Sequence, residues 1–131
     1  MRRLLSAVFA SLLVAGTAHA AASPQETVYR VYQAALQKGD IDALEATMTQ
    51  ARAAEFEKQR NSLEFKLMFG FIRDSALRDS KVEKVEVNGN DATLSANGKD
   101  SSGNASTESV HMLNESGQWR IEKVSTSTQA H

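Results

Sequence analysis

Val85-Glu86-Val87-Asn88-Gly89-Asn90-Asp91-Ala92-Thr93-Leu94-Ser95-Ala96 decides the fold. Val85 and Val87 alternate with Lys84 and Glu86, and Ala92, Leu94 and Ala96 share one face opposite Thr93 and Ser95. A period of two is the mark of a strand with one buried face, and Asn88-Gly89-Asn90-Asp91 is turn chemistry between two such strands. The segment therefore reads as a β-hairpin. Downstream, Asn97 to Asn104 reads as a polar loop, and about Ala105 to Leu113 as a third strand. The turn Asn114-Glu115-Ser116-Gly117 leads into a last strand, Gln118 to Val124, with Trp119 and Ile121 on one face. Ser125 to His131 reads as a polar tail that frays.

Upstream of the hairpin the period changes. Ser23-Pro24-Gln25-Glu26 is a capping-box pattern that opens a helix. Val28, Val31, Tyr32, Ala35 and Leu36 form its apolar stripe, and Gly39 ends it. Asp40 can cap a shorter helix carrying Ile41, Leu44 and Met48. A third helix is expected from about Ala51 to about Leu77, with Gly70 marking a kink or the close approach of another backbone. Helices followed by hairpin-linked strands imply an α+β domain, with the amino-terminal helices packed on an antiparallel sheet of about four strands.

The first twenty residues read as an address. Arg2 and Arg3 precede a twelve-residue run, Leu4 to Ala15, that is apolar except for Ser6 and Ser11. Ala18-His19-Ala20 then offers small residues for a signal peptidase, with cleavage expected after Ala20. The run is far short of the roughly 20 residues that span a bilayer as a helix. Removing residues 1–20 takes two of the 15 basic residues and none of the 16 acidic ones, leaving a net charge of -3 on residues 21–131. That balance gives no reason to expect nucleic-acid binding. The expected product is one periplasmic or secreted domain with no membrane span. Its lack of cysteine excludes disulfide staples, thiolate metal sites and a cysteine nucleophile.

The order of elements carries a resemblance. The opening Val28-Tyr29-Arg30-Val31-Tyr32 helix, its Lys38-Gly39-Asp40 junction to the next helix, and the closing Gly117-Gln118-Trp119-Arg120-Ile121 strand resemble the nuclear transport factor 2-like superfamily, the cystatin-like cone. Within it the chain is most similar to small exported bacterial domains related to the lumazine-binding-like group. The resemblance implies a curved sheet wrapped around helices with a cone-shaped pocket. It does not choose a function, since members range from ketosteroid isomerase and scytalone dehydratase to non-catalytic binding modules.

Three readings follow. In the favoured one, a non-catalytic exported module, Phe65, Met68, Phe69, Phe71, Met112 and Trp119 line a cone that takes a small apolar ligand, or the sheet contacts an envelope protein. In the second, an isomerase-, dehydratase- or cyclase-like enzyme uses His111, Tyr29 or Tyr32 around an apolar pocket. The third is an accessory or inhibitory protein, with a homodimer also open. No cofactor fingerprint is present and no metal-ligand spacing joins the acids to His111, so neither a cofactor nor a metal is expected. Asp40 and Asp42 are explained by capping, and Asp74 with Arg78 by an exposed ion pair.

Overall fold

The structure, a computed structural model, describes residues 22–129. The expected leader, with its expected cleavage after Ala20, lies outside these residues, as does the end of the polar tail. The elements run α1 (Pro24–Lys38), α2 (Ile41–Ala46), α3 (Gln50–Gln59), α4 (Leu63–Ser75), then β1 (Arg78–Asn88), β2 (Asp91–Lys99), β3 (Ala105–Glu115) and β4 (Gln118–Thr128). The strands form one antiparallel meander in the order β1-β2-β3-β4. Among the described residues no helix is long and apolar enough to cross a membrane.

Side-chain capping sets the helix starts. Ser23 accepts from the Glu26 amide, Asp40 from Ala43, Thr49 from Arg52 and Ser62 from Phe65. The last of these divides the expected third helix in two. Ser62 also donates to the Gln59 carbonyl at 2.8 Å, and Arg60 is drawn back to Asp42 (2.8 Å) and Glu45 (2.9 Å) on α2. A serine that satisfies both flanking turns competes with continuous helix, and α4 starts afresh.

The face that α1 buries is rotated from the expected stripe. Gln25, Tyr29, Tyr32, Ala35 and Leu36 are buried, whereas Val31 is 50% exposed. Leu44, Met48, Leu77, Leu94, Val110, Met112 and Ile121 complete the core beneath them. On β3 the burial alternates, so Ser106, Glu108, Val110 and Met112 face the helices and the odd-numbered residues face away. The strands outrun their expected ends: β2 reaches Lys99, and β4 continues to Thr128, paired through Ser106↔Thr128. The tail is held because the Ser106 hydroxyl meets both the Ser127 carbonyl and the Thr128 hydroxyl.

A short bridge ties the helices to the sheet edge. The Thr49 amide donates to the Ile121 carbonyl (3.0 Å) and the Ile121 amide to the Thr47 carbonyl (2.7 Å), making a parallel pairing of Met48 with β4. Opposite it, β4 carries one extra residue between the His111↔Lys123 and Met112↔Ile121 pairs. Such a bulge bends the strand and re-aims a side chain. The linker fixes where α3 begins, and with it Arg52.

α4 presents Leu63, Leu67, Met68 and Phe71 outward and grips the domain through two devices. Phe65 sits edge-on to Phe56 and stacks on Phe69, and Arg73 donates to the Leu36 and Gln37 carbonyls at the end of α1. Gly70 marks neither a kink nor a close approach, since nothing lies within 4 Å of where its Cβ would stand. The close approach is at Gly98, where a Cβ would meet the Arg78 carbonyl at 2.7 Å and Leu77 Cγ at 2.9 Å. We expect Gly98→Ala to cost about 1–3 kcal/mol by overpacking, and Gly70→Ala to add about 0.5–1 kcal/mol through helix propensity. Urea unfolding of the two variants checks both signs.

Candidate functional site

The concave side of the sheet holds a buried carboxylate. Glu108, 6% exposed, stands at an inward position of β3 between Ser106 and Val110. The Tyr29 hydroxyl donates to its Oε1 at 2.7 Å from α1, and the Thr126 hydroxyl donates to its Oε2 at 3.0 Å from β4. Behind Tyr29, the Gln33 amide donates to the phenol oxygen at 3.1 Å. Gln33 Oε1 in turn accepts from Arg30 (2.9 Å) and the Ser80 hydroxyl (3.0 Å). A buried charge requires this: each oxygen of the carboxylate is met by a donor, and each donor is itself positioned.

Tyr32 stacks beside Tyr29, ring centroids 6.4 Å apart. Helical spacing alone puts the two on partly different faces, but both are buried, with α1 packed on α2 and on strands β1, β2 and β4. Burial pushes the Tyr29 phenol well above its ordinary range, reinforced by its hydrogen bond to Glu108 and by that carboxylate's charge. Tyr32 is pushed up to about 12, first by burial and then by the charge of Glu108, with Arg52 pulling the other way. Both phenols therefore hold their protons at neutral pH, and Tyr29 donates its proton to Glu108.

Next to this network lies a cavity of about 240 Å³, bounded by Tyr32 and Leu36 of α1, Arg52 of α3, Phe71 and Ile72 of α4, and Glu108, Val124 and Thr126 of the sheet. Arg52, part-buried, has one guanidinium nitrogen, Nη1, that is buried and has no hydrogen-bond partner among the described residues. Apolar walls with a few convergent polar groups are the ordinary make-up of a small-molecule site.

The residues singled out from the sequence are scattered by the fold. Tyr32 and Phe71 border the cavity, and Tyr29 reaches it through Glu108. Phe65 and Phe69 belong to the aromatic cluster between α3 and α4, and Met68 is exposed. Met112 is fully buried in the core. Trp119 borders a separate groove with Val28, Val31 and Thr47. His111 lies on the opposite face of the sheet from Glu108. There its Nε2 is 2.8 Å from Asp91 and its Nδ1 2.7 Å from Glu122, the residue the bulge re-aims. The two carboxylates meet different ring nitrogens, so the three do not converge on one cation, and among the described residues no His/Asp/Glu cluster is arranged to hold a metal. Glu108 and Arg52 are the site residues that sequence reasoning missed. The signal for Glu108 was its parity: an acid in step with Val110 and Met112 on the inward face.

Comparison of the fold decides its class. A protein of unknown function from Silicibacter pomeroyi, described as nuclear transport factor 2-like, matches with a TM-score of 0.55 at 18% identity, over 81% of this chain and 93% of that one. The chain has the nuclear transport factor 2-like fold. A Thiobacillus denitrificans protein, provisionally assigned as a calcium/calmodulin-dependent protein kinase type II association domain, matches with a TM-score of 0.58 at 15% identity, over 80% and 94% of the two chains. A Streptomyces avermitilis protein of the same fold family, provisionally assigned as a dehydratase, matches with a TM-score of 0.56 at 11% identity, over 82% and 96%. No protein-family model and no curated protein matches the sequence.

Two outcomes test this geometry. Tyr29→Phe removes a donor from a buried carboxylate and is expected to lower the unfolding free energy by about 1–3 kcal/mol, measured by denaturant unfolding at neutral pH. The His111 imidazolium is favoured, its pKa raised above the ordinary value, by the hydrogen bond to Asp91 first; burial opposes this, and the hydrogen bond to Glu122 with the charges of both carboxylates adds to the rise. A raised value in the folded state gives stability that is full below the unfolded value and is lost as pH rises through the folded one. Wild type should therefore lose its advantage over His111→Gln as pH is raised from about 6 to about 9, with thermal melts across that range as the measurement.

Proposed function

We propose that this chain is an exported binding domain whose cone holds a small, largely apolar molecule without turning it over. The observation that carries the reading is the cavity of about 240 Å³ lined by Leu36, Phe71, Ile72, Ala76 and Val124 together with the polar Tyr32, Arg52, Ser75, Glu108 and Thr126. Export is supported by the charged, apolar and Ala-x-Ala order of residues 1–20. A binding role is supported by the state of the polar groups. Both tyrosines keep their protons, both Glu108 oxygens already accept from protein hydroxyls, and His111 is on the far face of the sheet. A general base needs a lone pair aimed at substrate, and each Glu108 oxygen already has one of its two directions taken by a protein hydroxyl. The enzymatic alternative draws on the neighbour provisionally assigned as a dehydratase. In this chain it would use Glu108, beside Tyr32, in place of His111.

Titration with the neutral fluorophore N-phenyl-1-naphthylamine tests the cone. Wild type is expected to give a saturable one-to-one signal that Ser75→Trp, placed at the cavity rim, abolishes without a change in melting temperature. A signal indifferent to Ser75→Trp would place the probe elsewhere and sink the reading. Intact mass of protein recovered from the periplasm is expected to correspond to a chain beginning at Ala21. Recovery of the uncleaved chain in the cytoplasm would remove the export half.

A further inference from the structure

Arg52 is the one group in the cone whose position is not explained by stability. Its backbone amide is used in capping by Thr49, but its Nη1 is buried without an acceptor. A guanidinium carries five donors and cannot shed its charge; Arg52 is part-buried, and its sealed Nη1 donor is left without an acceptor, which costs free energy. The nearest way to satisfy it would be Glu108, on the same cavity. That carboxylate is instead turned toward Tyr29 and Thr126, which saturate one direction on each oxygen. Cation and anion share a cavity and do not pair.

We propose that the cone takes small monocarboxylic acids, with the ligand carboxylate on Arg52 and the apolar body against Leu36, Phe71, Ile72 and Val124. This rests on the reading of the cone as a ligand cavity and adds the chemistry of the ligand's head. Planar, bidentate pairing with a carboxylate is what a guanidinium does best. The Tyr32 hydroxyl, on the same wall, is a second donor for that head. Glu108 sets the limit on charge. Its carboxylate on the same cavity opposes a second anionic group, so dicarboxylates and phosphates are disfavoured. The volume sets the limit on size. At about 240 Å³ the cavity is below the range of drug-sized sites, which fits a single ring or a short chain and not a sterol-sized molecule.

The test is displacement of N-phenyl-1-naphthylamine from the full mature domain at pH 7.5 by octanoate, 3-phenylpropionate and 1-naphthylacetate, each set against its own primary amide. At least one acid is expected to bind at least about tenfold more tightly than its amide. Arg52→Gln should remove that preference while leaving amide binding unchanged. Without ligand, Arg52→Gln should melt no lower than wild type, since it removes a donor that has no acceptor in the protein; a lower melting temperature would make Arg52 a structural residue and overturn the proposal. Acids and amides binding alike, or no acid displacing a probe that still occupies the cone, also overturns it and leaves the cone reading standing. Failure of the probe itself to bind in the cone overturns both.

Discussion

A carboxylate enclosed on the inner face of the sheet constrains most of this structure. Burying Glu108 is tolerable only because a hydroxyl meets each of its oxygens, Tyr29 from α1 and Thr126 from β4. The first contact joins residues 79 positions apart and sets the rotation of α1. With Tyr29 turned inward, Tyr32 and Leu36 follow at helical spacing and Val31 is left at the surface. The second contact needs β4 to extend beyond Val124. The same end of β4 carries the Ser106 pairings that hold residues 127 and 128 in the sheet.

The two faces of the sheet separate two kinds of polar chemistry. Inside, the Glu108 carboxylate and the Nη1 of the part-buried Arg52 are shut away from solvent, and every unmade hydrogen bond has consequences. Outside, His111 bridges Asp91 and Glu122 across three strands, half-exposed and screened, a contribution to stability that depends on pH and not a catalytic base for the cone. The division follows from strand alternation and one bulge. Parity sends Glu108 in and His111 out, and the extra residue in β4 brings Glu122 alongside the imidazole.

Much of the architecture was legible locally. The capping residues Ser23 and Asp40, the Asn88–Asp91 turn and the period-two strands mark elements that the structure contains in that order. The break before α4 was not legible, because it depends on Arg60 being held by α2 as well as on Ser62. Gly70 and Gly98 show the same limit. Sequence context marks the first as unusual, yet only the approach of Arg78 and Leu77 makes the second irreplaceable. The aromatic and methionine cluster of residues 65–71 invited a pocket reading from composition. Packing divides it between a small aromatic core, a solvent-facing ridge and the cavity wall.

What the sequence determined by itself is what short-range physics controls: the starts of the first two helices, the hairpin and the α+β class, each of which rests on residues within a few positions of one another. What only the tertiary structure decided is the site. Arg52, Tyr32 and Glu108 come from α3, α1 and β3, and no spacing in the chain relates them. Closing the sheet around the helices brings them to one cavity, and burial there gives each its meaning: a phenol that keeps its proton, a carboxylate that must be satisfied and a guanidinium that is not.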